Sequence, residues 1–209
     1  MKIAELKDTE LAYLAGLLDG EGTICMKKQN LTNAAQKIRY RIAVTLVYTT
    51  SIELVGWLSS TLGSAVQIHN VNRKGMPDHY SQLYLVRMSE IPGEEMIKRL
   101  LPYLVIKRRQ AELFLRYREI QKACHHEGAK IRWSQEKMKA LRVLREWYRQ
   151  EFHRLNARGP DSSTTNTPDL VFEAEARKIE SELYSDVQRA LAVTHRPRLL
   201  DFEGSDQIQ

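Results

Sequence analysis

A chain of 209 residues, 43% apolar and 28% charged, is long enough for one ample hydrophobic core or two modest ones. No run approaches the roughly 18 apolar residues needed to cross a bilayer, and the opening MKIAELKDTE lacks the apolar stretch of a secretory leader, so no membrane partner is expected and the expected location is the cytoplasm or an organellar matrix. Cys25 and Cys124 stand alone and far apart, which argues against a disulfide framework or a zinc ribbon, while a net charge of +6 favours a polyanionic partner.

In chain order, Glu10 to Asp19 place Leu11, Leu14, Leu17 and Leu18 at helical spacing before a Gly-Glu-Gly stop. TICMKKQ and QKIRYRIAVTLVYT follow. The second alternates Ile38, Tyr40, Ile42, Val44 and Leu46 with Arg39, Arg41, Ala43 and Thr45, which predicts a strand with one buried face. Ser51 is placed to cap a helix over IELVGWLSSTL that Gly63 closes. AVQIHNVNR and YSQLYLVRM predict two more strands around the turn-rich KGMPDH. Pro92 fits the start of a helix through Tyr103, and KRRQAELFLRYREIQKA predicts another, with Ala111, Phe114, Tyr117 and Ile120 on one side.

Ser134 is placed to cap a further helix, whose Met138, Leu141, Leu144, Tyr148, Phe152 and Leu155 oppose Lys137, Lys139, Arg142, Arg145 and Arg149. NARGPDSSTTNTPD predicts a linker, and Phe172, Ala176, Ile179, Leu183 and Val187 mark a last amphipathic helix. Charge follows these divisions. Residues 1–97 carry 10 basic and 10 acidic side chains, residues 98–158 carry 17 and 6, and residues 159–209 carry 5 and 10. The expected organisation is a core over residues 1–128, a basic helical extension over 129–158, a linker over 159–169 and an acidic helix and tail over 170–209. The tail is expected to dock elsewhere than on the core. The second hundred residues do not repeat the first.

Residues Leu14 to Gly22 read LAGLLDGEG. Ala12, Gly16 and Gly20 recur every four positions and leave one helix face nearly bare, which lets a second backbone approach closely. The alternative is that Ala15 and Gly16 pack on this domain's own sheet. The strip ends in an acid, Glu21, at a helix C-terminus, where the macrodipole disfavours negative charge by roughly 0.3–1 kcal/mol.

This segment resembles the LAGLIDADG signature of homing endonucleases, departing from it at Leu18, Gly20 and Glu21. The element order also agrees with that family's αββαββα domain, over roughly residues 10–117, about half of the chain. The resemblance implies an α+β fold with a curved antiparallel four-stranded DNA-binding sheet, here followed by a C-terminal helical extension. It implies a site-specific endonuclease of the single-motif type, pairing as a homodimer on a long pseudo-palindromic double-stranded DNA site and making a staggered break. By that resemblance Glu21 is the metal ligand and Lys107, within LPYLVIKRRQAEL, is the lysine beside the scissile phosphate. A solvated lysine next to Arg108 and Arg109 is the alternative for Lys107. Magnesium is the implied ion, with manganese able to substitute and calcium supporting binding without cleavage. The expected dimer interface is Ala12, Ala15, Gly16, Asp19 and Gly20, with helix termination the alternative for Asp19.

Strand periodicity puts Cys25, Lys27 and Gln29, then Arg39, Arg41 and Thr45, then Gln67, His69 and Arg73, then Gln82 and Tyr84 on the face opposite the core. Arg and Gln there pair well with guanine and adenine edges; the alternative is an ordinary solvated sheet face. Cys124-His125-His126-Glu127 cannot all enclose one ion from consecutive helical positions. His69, Asn72 and His79 lack the acidic partners of an HNH nuclease. Two rivals remain open: a regulator or RNA-splicing maturase on the same fold that no longer cuts, and an α+β scaffold unrelated to nucleic acid.

Overall fold

Helix α1 (Asp8–Glu21) runs into strands β1 (Thr23–Asn30) and β2 (Ile38–Thr49). Helix α2 (Ile52–Leu62) separates these from β3 (Val66–Val71) and β4 (Leu83–Met88), and α3 (Glu90–Leu100), α4 (Arg108–Cys124), α5 (Gln135–Asn156) and α6 (Leu170–Thr194) follow. This computed structural model describes residues 2–30, 38–71, 82–124, 134–157 and 170–194. The order from α1 to α3 is the αββαββα pattern predicted by the alternation of helical and strand periodicities. Local signals set the boundaries. Ser51 accepts a hydrogen bond from the Leu54 N–H at 3.1 Å, and Gly63 ends α2 in the left-handed region at φ 57°. Ser134 caps α5 in the same way through the Lys137 N–H at 3.2 Å.

The four strands form one antiparallel sheet in the order β1-β2-β4-β3. The register of β2 on β4 shifts between Thr45 and Val47, so Leu46 is an extra residue in the ladder. The helices share one face of this sheet: α1 and α3 lie against β2, α2 against β2 and β3, and α5 against β1. Ile24, Ile42, Val44, Val86 and Met88 point into that layer and are buried with Leu14, Leu18, Leu58, Ile97 and Phe114.

The basic and acidic C-terminal segments belong to the same core. Leu141, Leu144, Trp147, Tyr148 and Phe152 of α5, and Ala176, Ile179 and Leu183 of α6, are buried in one continuous cluster with the residues above. Helix α5 runs beside the edge strand β1, where Asn156 Nδ2 donates to the Ile24 carbonyl at 2.8 Å. Helix α6 packs on α4 and α5, and its buried Glu180 accepts from the Arg116 guanidinium and from the Tyr148 hydroxyl at 2.7 Å. The expectation that the acidic tail docks away from the core therefore fails for α6. Its apolar stripe needs a partner, and the outer sides of α4 and α5 supply one. The proposed linker over 159–169 lies outside the described residues.

Two carboxylates tie the helical layer together. Glu94 on α3 meets Arg118, Lys98 and Lys122, and Glu146 on α5 meets Lys28, Arg149 and the Tyr40 hydroxyl. Partial burial pushes both carboxyls up, but hydrogen bonds from these cations and the tyrosine outweigh it and hold each at about 2. Burial, together with the contact with Glu146, raises the Tyr40 phenol to about 12. Because both carboxyls titrate below their ordinary value, their contribution to stability is complete above about pH 4.5 and is lost as pH falls toward 2. Urea unfolding across this range should show a steep acid loss in the unmodified chain and a flatter one in Glu94→Gln and Glu146→Gln, each less stable at neutral pH. A parallel acid limb in the variants would show that other groups drive acid unfolding.

Candidate functional site

Helix α1 divides its faces by residue size. Leu11, Leu14, Ala15 and Leu18 are buried against the sheet, whereas Ala12, Gly16 and Gly20 are exposed. No atom lies within 4 Å of a Cβ built at Gly16 or Gly20, so the strip is open on its outer side. The five-residue interface expected from the sequence thus splits. Ala12, Gly16 and Gly20 form the surface strip, but Ala15 is buried on the core side of the helix and Asp19 is covered by the backbone of residues 105–107 that it binds. Tyr13 borders the strip and meets Trp57 edge to face at 5.1 Å.

At its C-terminal end α1 stops at Gly22, whose N–H donates to the Leu18 carbonyl at 3.0 Å. A Cβ at Gly22 would come within 2.7 Å of that same oxygen, so a side chain does not fit where the chain leaves the helix for β1. Glu21, one residue earlier, is exposed at this end. Asp19 is 9% exposed, and its carboxylate accepts three backbone N–H bonds, from Val105 at 2.8 Å, Ile106 at 3.1 Å and Lys107 at 2.8 Å. In return Lys107 Nζ donates to the Asp19 carbonyl. Lys107 is 4% exposed, and its own carbonyl accepts the first-turn bond of α4 from Ala111 at 2.9 Å. A carboxylate thus sits at the positive start of α4 and an ammonium at the negative end of α1, both favoured by the helix dipoles. The two residues singled out from the sequence, Glu21 and Lys107, are brought to the same end of α1. Beside them Val105 and Ile106 are 84% and 69% exposed.

The sheet face away from the helices begins at this end. Register places Lys27 opposite Arg41 and Gln29 opposite Arg39, and all four are exposed. Gln67 and His69 are exposed on β3. On β1, Cys25 lies between Lys27 and the helix end; burial pushes its thiol up, partly offset by Lys27.

Of the expected members of this face one is buried and two stand elsewhere. Thr45 has the right orientation but is only 8% exposed, because β2 has paired strands on both sides and Thr45 lies between Thr23 and Arg87. Tyr84 is on the helix-covered face with Val86 and Met88, packed against the core. Gln82 is exposed but precedes β4 and turns its amide onto the Leu83 carbonyl at 3.0 Å. Arg73 lies outside the described residues, as do Asn72, His79 and the His125–Glu127 run.

The correction on β4 exposes two residues that periodicity missed. Arg87 is in register with Gln67 and donates to its Oε1 at 3.3 Å. Tyr48, set on this face by the shift after Thr45, is exposed opposite Leu85. A charge between Val86 and Met88 was the available signal for Arg87; the bulge hid Tyr48.

No family model matches this sequence, and no curated protein matches it as a relative. Solved structures do. I-CvuI bound to DNA in the presence of 2 mM Mg, with the DNA not cleaved, superposes at a TM-score of 0.55 and 16% identity over 84% of this chain and 95% of that chain. The archaeal intron-encoded I-Vdi141I complexed with DNA gives 0.51 at 15% identity over 85% of this chain and 98% of that chain. The group I intron-encoded I-CeuI complexed with DNA gives 0.52 at 12% identity, over 83% and 77%. I-CvuI has also been solved on its own target with 2 mM Ca. All three are homing endonucleases, and the present chain has their fold, as the motif resemblance implies.

The face assignment on β4 can be checked by thiol labelling. In a chain with Cys25→Ser and Cys124→Ser, Leu85→Cys should react readily with a maleimide in the folded protein and Val86→Cys only on unfolding. The opposite order would restore the register expected from the sequence.

Proposed function

We propose that this chain is a metal-dependent DNA endonuclease that works as a homodimer, joined along the outer strip of α1. The observation that carries this reading is the conjunction at one helix: a bare strip of Ala12, Gly16 and Gly20, ending beside an exposed carboxylate and a clasped lysine. Two strips meeting about a twofold axis would let the α1 backbones approach closely and bring two Glu21 side chains together. The exposed Val105 and Ile106 flank that axis and supply apolar surface for the contact.

The donor set fits a hard cation shared with a substrate. Among the described residues no group of three or more His, Cys, Asp or Glu side chains is gathered that could hold a metal; on this reading each chain contributes Glu21 and a second copy contributes its own. Magnesium is commonly held by one or two carboxylates with phosphate oxygens and water completing its shell. When bound, the ion supplies a nucleophilic water and stabilises the departing oxygen. The chain's own contribution is to hold Glu21 at the strip's end and Lys107 beside it, where an ammonium stabilises negative charge developing on a phosphate. Manganese should substitute, and calcium should support binding without cutting.

The open sheet face is the surface for the duplex. Lys27, Arg39 and Arg41 are cations on a curved antiparallel sheet, and Gln29, Gln67, His69, Arg87 and Tyr48 add groups able to read base edges in a major groove. In a dimer the two faces would continue each other, which suits a long pseudo-palindromic site cut once in each strand. The strands would be cut in a staggered pattern, as in the family that the motif resembles.

Two experiments test the reading. Sedimentation should give about twice 24.3 kDa, and Gly16→Leu should give a folded monomer, since that position has room in one chain but none in the paired strip. A variant that still dimerises removes α1 from the interface. On a duplex selected by binding from a random library, Glu21→Gln should bind in calcium as the unmodified chain does, yet cut in magnesium roughly a thousandfold more slowly. Lys107→Met should cut roughly ten- to a hundredfold more slowly. Cleavage by Glu21→Gln at the unmodified rate would end the metal assignment, and tight binding without cleavage by the unmodified chain would favour a DNA-binding regulator or maturase.

A further inference from the structure

We infer that Asp19 is a positioning residue for the reaction, setting Lys107 through the backbone of residues 105–107. The inference rests on the endonuclease reading for its catalytic consequence, though not for the contact itself. Asp19 and Lys107 are 88 residues apart in sequence, yet they exchange hydrogen bonds in both directions. The Asp19 carboxylate uses Oδ2 for the N–H groups of Val105 and Ile106 and Oδ1 for that of Lys107. Three successive amides on one carboxylate fix the backbone leading into α4. That backbone fixes the Lys107 Cα, and the side chain then reaches the last turn of α1, two residues from Glu21.

An ammonium on a four-carbon stem is ordinarily mobile and well hydrated. Here it is almost wholly removed from solvent and bonded to a helix-end carbonyl. Substitution at Asp19 leaves that carbonyl in place but releases the carboxylate's hold on the three amides. Asn at this position keeps the shape and one accepting oxygen, and turns an NH2 group toward an N–H donor. Lys107 would then leave its place while Glu21, on the other side of the helix, keeps its own. The same carboxylate also holds Val105 and Ile106, so the lysine and the apolar residues at the edge of the strip are set by one anchor.

Three readouts test this on the full chain. First, amine labelling with peptide mapping should find Lys107 protected in the unmodified protein and labelled roughly tenfold or more faster in Asp19→Asn, with Lys98 unchanged. Equal protection in the two proteins overturns the inference whatever happens to cleavage. Second, single-turnover cleavage of the selected duplex at saturating enzyme should be roughly tenfold slower in Asp19→Asn. In a Lys107→Met background the same change should have almost no effect, because the two substitutions remove one contribution. Effects that multiply would make Asp19 a stability residue only. Third, the unmodified chain alone keeps the question decidable if Asp19→Asn does not fold. The amides of Val105 and Ile106 precede α4, so slow hydrogen exchange there requires the carboxylate, and free exchange would refute the clasp. If the unmodified chain cuts no duplex, the endonuclease reading fails, while the labelling and exchange readouts still decide whether Asp19 holds Lys107.

Discussion

The reciprocal contact between Asp19 and Lys107 is the joint on which the rest of the molecule is hung. A helix ends with carbonyls that have no intrahelical donor and begins with N–H groups that have no acceptor. When the end of one helix meets the start of another inside a protein, these needs cancel only if a suitable group crosses between them. Here the crossing is double. Asp19 on α1 satisfies amides entering α4, and Lys107 at the start of α4 satisfies a carbonyl leaving α1. An anion lies at a helix N-terminus and a cation at a helix C-terminus, the two placements that the macrodipole favours. The geometry that follows is specific: positions 21 and 107 are brought to the same end of α1.

The end of α1 also sets where the sheet begins. Gly22 allows the chain to leave α1 abruptly, so β1 starts one residue later, and the open face of the sheet begins at the helix end. The other face needs cover, and α1, α2 and α3 do not supply all of it, since β1 is an edge strand. Helix α5 lies beside β1 and satisfies an edge carbonyl through Asn156. That leaves the outer sides of α4 and α5 apolar, and α6 closes them through Ile179, Leu183 and the buried Glu180. The basic helix and the acidic helix thus complete one core rather than forming appendages to it.

Much of this was legible in the sequence because it is encoded locally. The inner stripe of α1, the alternation of β2, the caps at Ser51 and Ser134 and the stop at Gly63 depend on residues within a turn or two of each other. The motif also put Glu21 at a helix end and marked Lys107. What could not be read depends on partners distant in sequence. Nothing near Asp19 reveals amides 86 to 88 residues away, so the sequence alone leaves it as a helix-terminating or interface residue. Strand β4 is apolar on both sides, Leu83 and Leu85 against Tyr84, Val86 and Met88, and choosing the wrong set exchanges the faces outright. The extra residue at Leu46 shifts the phase of β2, which conceals Tyr48. Charge summed over the tail described a segment, whereas burial of Glu180 is a property of one residue and its two partners.

The two acids of the motif show how position within a helix turn separates structure from chemistry. Asp19 and Glu21 are two residues apart, which places them on nearly opposite sides of α1. Asp19 turns inward and is fully engaged by backbone donors, so its charge near a negative helix end is compensated. Glu21 turns outward at the same end, where the dipole makes a negative charge unfavourable by roughly 0.3–1 kcal/mol. A single chain therefore carries a carboxylate in a poor place beside a strip of small residues that leaves backbone open to water, two features that do nothing for its own stability. Both would be compensated at once by a second copy against the strip and a cation at its end. On the proposed reading, the local cost at Glu21 and the bare face at Gly16 and Gly20 would be a single feature, a surface stabilised by a second copy and a cation.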